Sequence, residues 1–402
     1  MNVPPPPPFH RELTTVGVTG TNGKSTTTTW IAAALRHLSR PVARATTLGF
    51  FADDEELSLA QTYDDFLEGM RLVHARGGRH AAIELTSEAL ARGFARAWPC
   101  RVGVFTNLTH DHLEAHGSAE HYLASKAQLF VTLGEGASAV LNASDPVYEL
   151  LREVTPPHVS MTTYAVPSRG ASQGEPDLVA EHVRVSWDGT TILCRARDER
   201  RGLPTSLTVR AIGEVYAENA LAALLGAVAA GVAPAAAAAA IGEAPPPPGR
   251  FEVIHRRPWV VVDYAHSPDA LARTVGTART LADRDRARLL VVFGAGGKRD
   301  RGKRGAMGAA ARAADAIVLT SDNPRDEDPA AIARAVAAGL EGHGGVEMEL
   351  DRRRAITRAI EAAGPNDVVL VAGKGHETEQ IVGETRAHFS DAEVARDALR
   401  AR

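Results

Sequence analysis

Thr14-Thr15-Val16-Gly17-Val18-Thr19-Gly20-Thr21-Asn22-Gly23-Lys24-Ser25-Thr26-Thr27-Thr28-Thr29-Trp30 is the stretch that decides the fold of this chain. Its β-branched run over 14–18 reads as a short buried strand, 20–23 as a tight loop, and the residues from Ser25 through Ile31, Leu35 and Leu38 as a helix. In that order the three elements let backbone N–H groups close around phosphate oxygens. The helix N-terminus adds partial positive charge, Lys24 adds a full one, and the Ser25 hydroxyl can ligate Mg²⁺. The usual phosphate-loop pattern would have its first glycine at Val18, so only the shorter Gly20-x-x-Gly23-Lys24-Ser25 is present. A lone glycine loop is ordinarily a turn. A Gly-Lys-Ser set between strand and helix at the head of a domain points instead to a nucleoside triphosphate.

Outward from this stretch, apolar strands at 16–18, 81–85, 102–107 and 138–142 alternate with helical or loop sequence, which predicts a parallel α/β sheet. Between 177 and 209 the segments shorten, with Asp188-Gly189 as a hairpin turn between 183–187 and 191–194, and an antiparallel extension of the same domain is expected. Helices follow over 217–231 and 234–241. Ala244-Pro245-Pro246-Pro247-Pro248-Gly249-Arg250 is the clearest boundary, because four prolines cannot continue a helix or a central strand. Beyond it the alternation restarts, with strands at 259–264, 287–293, 316–319 and 367–371. The expected organisation is α/β throughout: a disordered proline-rich arm over 1–12, a central ATP-binding domain over 13–243 with a parallel sheet, a linker over 244–249, and a Rossmann-like α/β domain over 250–402.

Composition narrows the partners. Lys and Arg total 45 against 49 Asp and Glu, and the arginines are spread along the chain, so no basic surface argues for nucleic acid. Cys100 and Cys194 follow no metal spacing and cannot form a disulfide framework, which fits a reducing cytoplasm. No stretch reaches the apolar length of a membrane span, and prolines 4–8 stand where a signal peptide would need an apolar helix. The expectation is a cytoplasmic protein with small-molecule or peptide partners, monomeric or else dimeric.

The carboxyl ends of parallel strands are where open α/β sheets bind ligands. Glu84 ends one predicted strand, Phe105-Thr106-Asn107-Leu108-Thr109-His110-Asp111-His112 ends the next, and helical sequence then carries Lys126. Each alone would be a capped loop; together they suggest a metal and nucleotide site. A metal-dependent hydrolase built on His110, His112 and His116 has poor spacing and leaves Gly23-Lys24-Ser25 without a role.

Gly20-Thr21-Asn22-Gly23-Lys24-Ser25, Glu84-Leu85-Thr86-Ser87, Phe105-Thr106-Asn107-Leu108-x-x-Asp111-His112-Leu113, Asp263-Tyr264-Ala265-His266-Ser267-Pro268-Asp269 and Gly373-Lys374-Gly375-His376-Glu377 together resemble the Mur ligases. The likeness is closest to the E-type, the UDP-N-acetylmuramoyl-tripeptide synthetases, and covers roughly residues 13 to 395. It implies an ATP- and Mg²⁺-dependent amide ligase in which a carboxylate takes the γ-phosphate and an amine attacks the acyl phosphate. By the family pattern Gly20, Thr21, Asn22, Gly23, Lys24, Ser25 and Thr26 would cradle ATP. Ser25 and Glu84 would hold one Mg²⁺ and His112 a second, with Lys126 matching a carbamylated lysine that acts as an anion beside the metals. Asn219 matches an adenine contact, and Arg250, Asp263 and His266 match ATP contacts supplied from beyond the linker, which implies domain closure.

Ser321-Asp322-Asn323-Pro324-Arg325 looks like the signature of E-type enzymes adding meso-diaminopimelate, with Arg325 able to clamp a carboxylate. Arg299, Asp322, Asn323, Gly373 and Glu377 match the other contacts to that amino acid; turn and helix-cap material is the plain alternative for the Asn-Pro and Arg-Asp-Glu-Asp-Pro sequence. The departures fall on the carboxylate substrate. The family's N-terminal UDP-gripping domain is not expected here, since the phosphate loop arrives within 25 residues. Substrate motifs read Gln61-Thr62-Tyr63 and Thr86-Ser87-Glu88, leaving Thr62 and Ser87 as substrate contacts, and an arginine expected on the muramoyl peptide aligns with Phe94. Two acceptors therefore stay open: a UDP-muramoyl peptide gripped differently, or a smaller peptide or related carboxylate, which the departures favour. A nucleotide-binding regulatory protein without catalysis is the third reading, opposed by Lys24, Glu84, His112 and Lys126.

Overall fold

The computed structural model describes residues 5–108, 118–298 and 302–402. They form two compact units, one comprising residues up to 184 with 188–210 and 214–246, the other 185–187, 211–213 and 247–402.

The first unit is built on an eleven-stranded sheet. At its centre β1 (Thr14–Thr19) lies parallel between β5 (His80–Glu84) and β6 (Val102–Phe105). These runs are almost wholly buried, as parallel strands covered on both faces must be. The register sets the site. Val18 pairs with Glu84 and Thr19 with Phe105, so the residues that follow all three strands emerge together at one edge. The helix Lys24–Leu35 leaves the loop after β1 and buries Trp30, Ile31 and Leu35 completely.

The rest of this sheet departs in part from the sequence pattern. β2 (Ala43–Thr46) joins β5 in parallel, then β3 (Gly49–Ala52) and β4 (Glu55–Leu57) turn back antiparallel to close one edge. On the other side β7 (Ser138–Asn142), β8 (Ser160–Ala165) and β9 (Leu178–Ser186) continue in parallel, followed by β10 (Gly189–Ala196) with β11 (Ser206–Val209) antiparallel to it. The stretch over 177–209 is thus not a purely antiparallel extension, because β9 pairs with β8 in parallel. The arm expected over 1–12 is also ordered from Pro8: Pro8–Glu12 is a 3₁₀ turn, with Phe9 stacked on His74 and the His10 ring edge-on to Trp98. Packing those two half-buried rings outweighs the extended preference of the prolines before them.

The second unit carries a six-stranded sheet in the order β12 (Glu252–His255), β13 (Trp259–Asp263), β17 (Val368–Ala372), β14 (Leu289–Phe293), β15 (Ala316–Leu319), β16 (Val346–Met348). Only β12 is antiparallel to its neighbour. Alternate residues of the central strands feed two cores, Val261, Val291 and Leu370 on one face and Val262, Val292 and Val371 on the other, as a sheet packed by helices on both sides requires. A separate hairpin of β18 (Glu379–Val382) and β19 (Thr385–His388) stands apart from this sheet. Among the described residues no helix is long and apolar enough to cross a membrane.

Candidate functional site

In the first unit the loop after β1 is fixed by the strand beside it. Thr21 N donates to the Asn107 carbonyl at 2.7 Å, Asn22 N to Asn107 Oδ1 at 3.0 Å, and Thr106 Oγ1 to the Asn22 carbonyl at 2.7 Å. The two glycines have steric reasons. A Cβ on Gly20 would stand 1.9 Å from Thr106 Oγ1, and one on Gly23 2.0 Å from Asn219 Oδ1. Gly23 also has φ 82° and caps the helix without a side chain, leaving the helix N-terminus facing the loop.

Lys24 Nζ donates to the Thr21 carbonyl at 2.8 Å and stands 3.9 Å from Glu84 Oε1. Ser25 Oγ donates to Glu84 Oε2 at 2.7 Å, and Thr47 N reaches the same oxygen at 3.3 Å. Two adjacent ligands of an octahedral Mg²⁺ lie about 2.9 Å apart. The Ser25 hydroxyl and the Glu84 carboxylate therefore suit that ion in both spacing and hard oxygen chemistry. Thr21 and Thr26 are buried in the same loop and first helical turn. Asn219, buried on the helix Val215–Ala229, has an Oδ1 without a hydrogen-bond partner among the described residues, an acceptor of the kind a ligand amino group would satisfy.

Lys126, on the helix Ala119–Val131, is 1% exposed. Its Nζ donates to the Gly20 carbonyl at 2.6 Å and lies 4.4 Å from the Tyr122 ring centre. Burial, and then the charge of Lys24, hold its amine well below the ordinary lysine range, against a smaller upward pull from Glu84. Both effects penalise the charged amine and make its neutral, nucleophilic form easier to reach than in a free lysine. His112 lies outside the described residues. Thr62 caps the helix Tyr63–Ala75 and bonds Asp65. Ser87 is buried at the start of the helix Ser87–Ala91. Phe94 packs edge-on against Tyr63 and Phe66 with ring centres 5.8 and 5.0 Å away.

In the second unit Asp263 is committed to its own loop: Oδ1 accepts from Ala265 N at 2.8 Å and Thr274 Oγ1 at 3.0 Å, Oδ2 from Phe251 N at 2.7 Å. Burial pushes its carboxyl up, countered in part by the Arg250 charge. The Arg250 guanidinium lies 4.7 Å over the Tyr264 ring, and His266 stacks edge-on to the same ring at 4.5 Å. Further along, His266, Gly296, Asp322, Asn323, Arg325, Gly373 and Glu377 line one small, partly open cavity. Asp322, Asn323, Arg325, Gly373 and Glu377 are the residues the sequence reading linked to the amino acid, brought together from strand ends over 50 positions apart in the chain. Arg325 has φ 52°, and its Nη1 donates to the Gly297 carbonyl at 2.7 Å. Arg299 lies outside the described residues.

Sequence reasoning passed over Tyr122 and the backbone of Thr47. Tyr122 precedes Lys126 by four residues, one helical turn, a spacing that could have exposed it; Thr47 acts through its N–H and leaves no side-chain signal.

Residues 18–227 match the family model of the Mur ligase middle domain, and residues 249–375 that of the Mur ligase glutamate ligase domain. The chain is 38% identical over 403 residues to the UDP-N-acetylmuramoyl-L-alanyl-D-glutamate--2,6-diaminopimelate ligase of Thermosynechococcus vestitus, covering 98% of this chain and 78% of that protein. A solved structure of a ligase of the same name superposes with a TM-score of 0.69 at 32% identity, over 97% of this chain and 78% of the other. Mycobacterium tuberculosis folylpolyglutamate synthase, solved with ADP, shares the fold with a TM-score of 0.71 at 18% identity, over 98% and 91% of the two chains.

Proposed function

The chain belongs to the Mur ligase family, and we propose that it is an ATP-dependent ligase that joins a peptide carboxylate to an amino acid resembling diaminopimelate. The single observation that carries the amino-acid half is the cavity of the second unit. Asp322 and Glu377 offer carboxylates to an ammonium group, and Arg325 offers a planar guanidinium to a carboxylate, the pair of charges on the second head of a diamino acid.

In the reaction a carboxylate oxygen of the acceptor attacks the γ-phosphorus of ATP, the bond to the β–γ bridging oxygen breaks, and ADP leaves. The amine then attacks the acyl carbon, the C–N bond forms, and phosphate departs as the amine gives up a proton. Lys24 and the helix N-terminus behind Gly23 would oppose the negative charge that moves during phosphoryl transfer. Mg²⁺, when bound, supplies further charge neutralisation between nucleotide and acceptor. Ser25 and Glu84 would hold it, with His112 and a carbamylated Lys126 at a second ion. Asn219, Arg250, Asp263 and His266 would hold or organise the nucleotide.

Two acceptors are supported by different observations. The relatives' name favours a UDP-muramoyl dipeptide; the aromatic packing of Phe94, where an arginine would meet that substrate, favours a smaller peptide. Phosphate release is measured with ATP, Mg²⁺ and meso-diaminopimelate, plus either UDP-N-acetylmuramoyl-L-alanyl-D-glutamate or short dipeptides without the nucleotide sugar. Release with the first acceptor puts the protein in wall-precursor synthesis, release only with the second makes it a ligase of simpler peptides, and silence with both rejects the ligase reading.

A further inference from the structure

Lys374 does not line the amino-acid cavity, yet it braces two of the segments that do, 322–325 and 373–377, and the hairpin that follows them. Its side chain is fully buried, and its Nζ donates to Asn323 Oδ1 at 2.9 Å and to the Glu379 carbonyl at 2.6 Å. The same ammonium stands 3.5 Å from Asp322 Oδ1 and 3.7 Å from Glu377 Oε2. Asn323 passes the restraint on. Its Oδ1 also accepts from Ile381 N at 3.0 Å, and its Nδ2 donates to Glu377 Oε2 at 3.1 Å. The β18–β19 hairpin is thereby fastened to the loop of Arg325, whose N–H donates to the Ile381 carbonyl at 3.1 Å and whose carbonyl accepts from Gly383 N at 2.8 Å. Those two bonds hold Arg325 in its left-handed backbone conformation, which a non-glycine residue keeps only when its surroundings impose it.

Charge gives the arrangement a consequence beyond bracing. Asp322 and Glu377 present two carboxylates to the cavity, and Arg325 presents one cation. The buried cation Arg352 is matched by its own partner Asp391 at 2.6 Å. Without the Lys374 ammonium the described charges around the cavity would sum to an excess of negative charge, in a partly enclosed site where water screens weakly. Such a wall favours a bare cation. With Lys374 held against both carboxylates the described charges balance, and a head group bearing an ammonium and a carboxylate together is the better guest.

We infer that Lys374 is a positioning residue that sets the charge balance of this cavity, and so selects an amino acid with a zwitterionic second head over one with a bare ammonium there. The inference rests on the ligase reading above. The test compares kcat/KM for meso-diaminopimelate and for L-lysine in the parent, Lys374→Met, Lys374→Gln and Lys374→Arg, with circular dichroism as the check of folding. Gln keeps a donor for Asn323 and drops the charge; Arg keeps the charge. In Met and Gln the diaminopimelate-to-lysine ratio should fall about 10- to 100-fold, carried by KM for diaminopimelate. KM for ATP should stay within about twofold, and Arg should recover part of the preference. An unchanged ratio, or equal losses for both amino acids, overturns the inference while leaving the ligase reading intact. A Met variant that does not fold leaves the test to Gln, and failure of both to fold makes Lys374 a purely structural residue and overturns it too. A parent without diaminopimelate-dependent phosphate release overturns the ligase reading and this inference with it.

Discussion

A lysine buried as deeply as Lys126 carries a stability cost that can be measured. Its amine is held well below the ordinary value of about 10.4, first by burial and then by Lys24. Between the depressed folded value and that ordinary value the unfolded chain binds more protons than the folded one. Stability of the parent protein should therefore rise with pH across this window, by up to about 1.4 kcal/mol per pH unit, and level off above it. Lys126→Met lacks the group and should lack the slope, so in CO₂-free buffer the variant gains on the parent as pH falls below the ordinary lysine value. Urea unfolding at a series of pH values gives the answer, and parallel curves would mean that the amine titrates normally. Activity should move the other way. Lys126→Ala should lose turnover and regain part of it with a short carboxylate such as formate, the stand-in for a carbamate; full activity without it, or no recovery, would remove the carbamate role.

At the scale of elements, the phosphate loop is a fit between β1, β6 and the helix Val215–Ala229, and Gly23 is where that fit is tightest. Gly23→Ala puts a methyl group 2.0 Å from Asn219 Oδ1 at φ 82°, a conflict worth about 1–3 kcal/mol if the backbone holds. ATP affinity by calorimetry should fall about tenfold or more; unchanged affinity would show that this loop does not grip the phosphates. The same element was the most legible part of the sequence. β1, β5 and β6 are apolar runs because both their faces are covered, and a Gly-Lys-Ser after the first of them has few other uses. The edge strands β2–β4 escaped notice since they mix Arg44, Glu55 and Glu56 with apolar residues and bury only part of their length. The β18–β19 hairpin is exposed along most of both strands and is held by backbone bonds to Arg325, which no side-chain pattern records. Lys374 was visible only as part of a family motif. Its effect depends on Asp322 and Asn323 as well as on its near neighbours Glu377 and Glu379, and a linear sequence does not show that Asn323, 51 positions away, meets it.

For the whole molecule, the division into two units makes its own prediction, and the two cysteines report on it. Cys100 and Cys194 both belong to the first unit, are buried, and have thiols that burial pushes up to about 12. At pH 8 they are almost entirely protonated and shielded, so alkylation must wait for that unit to open. Each unit also has a core of its own, the first around Ile83, Phe105 and Leu129, the second around Val261, Val291 and Leu370. If ATP is held by the loop of the first unit, it should slow labelling by roughly the factor one plus the ratio of its concentration to Kd, about 100-fold at 100 Kd. Diaminopimelate alone, with its cavity in the second unit, should leave the rate unchanged. Mass spectrometry of alkylated protein over time separates the cases. Labelling indifferent to ATP would take the nucleotide away from the first unit, whereas protection by diaminopimelate alone would mean that the two units do not open independently, and that the amino acid is felt where the phosphate is transferred before any ATP is bound.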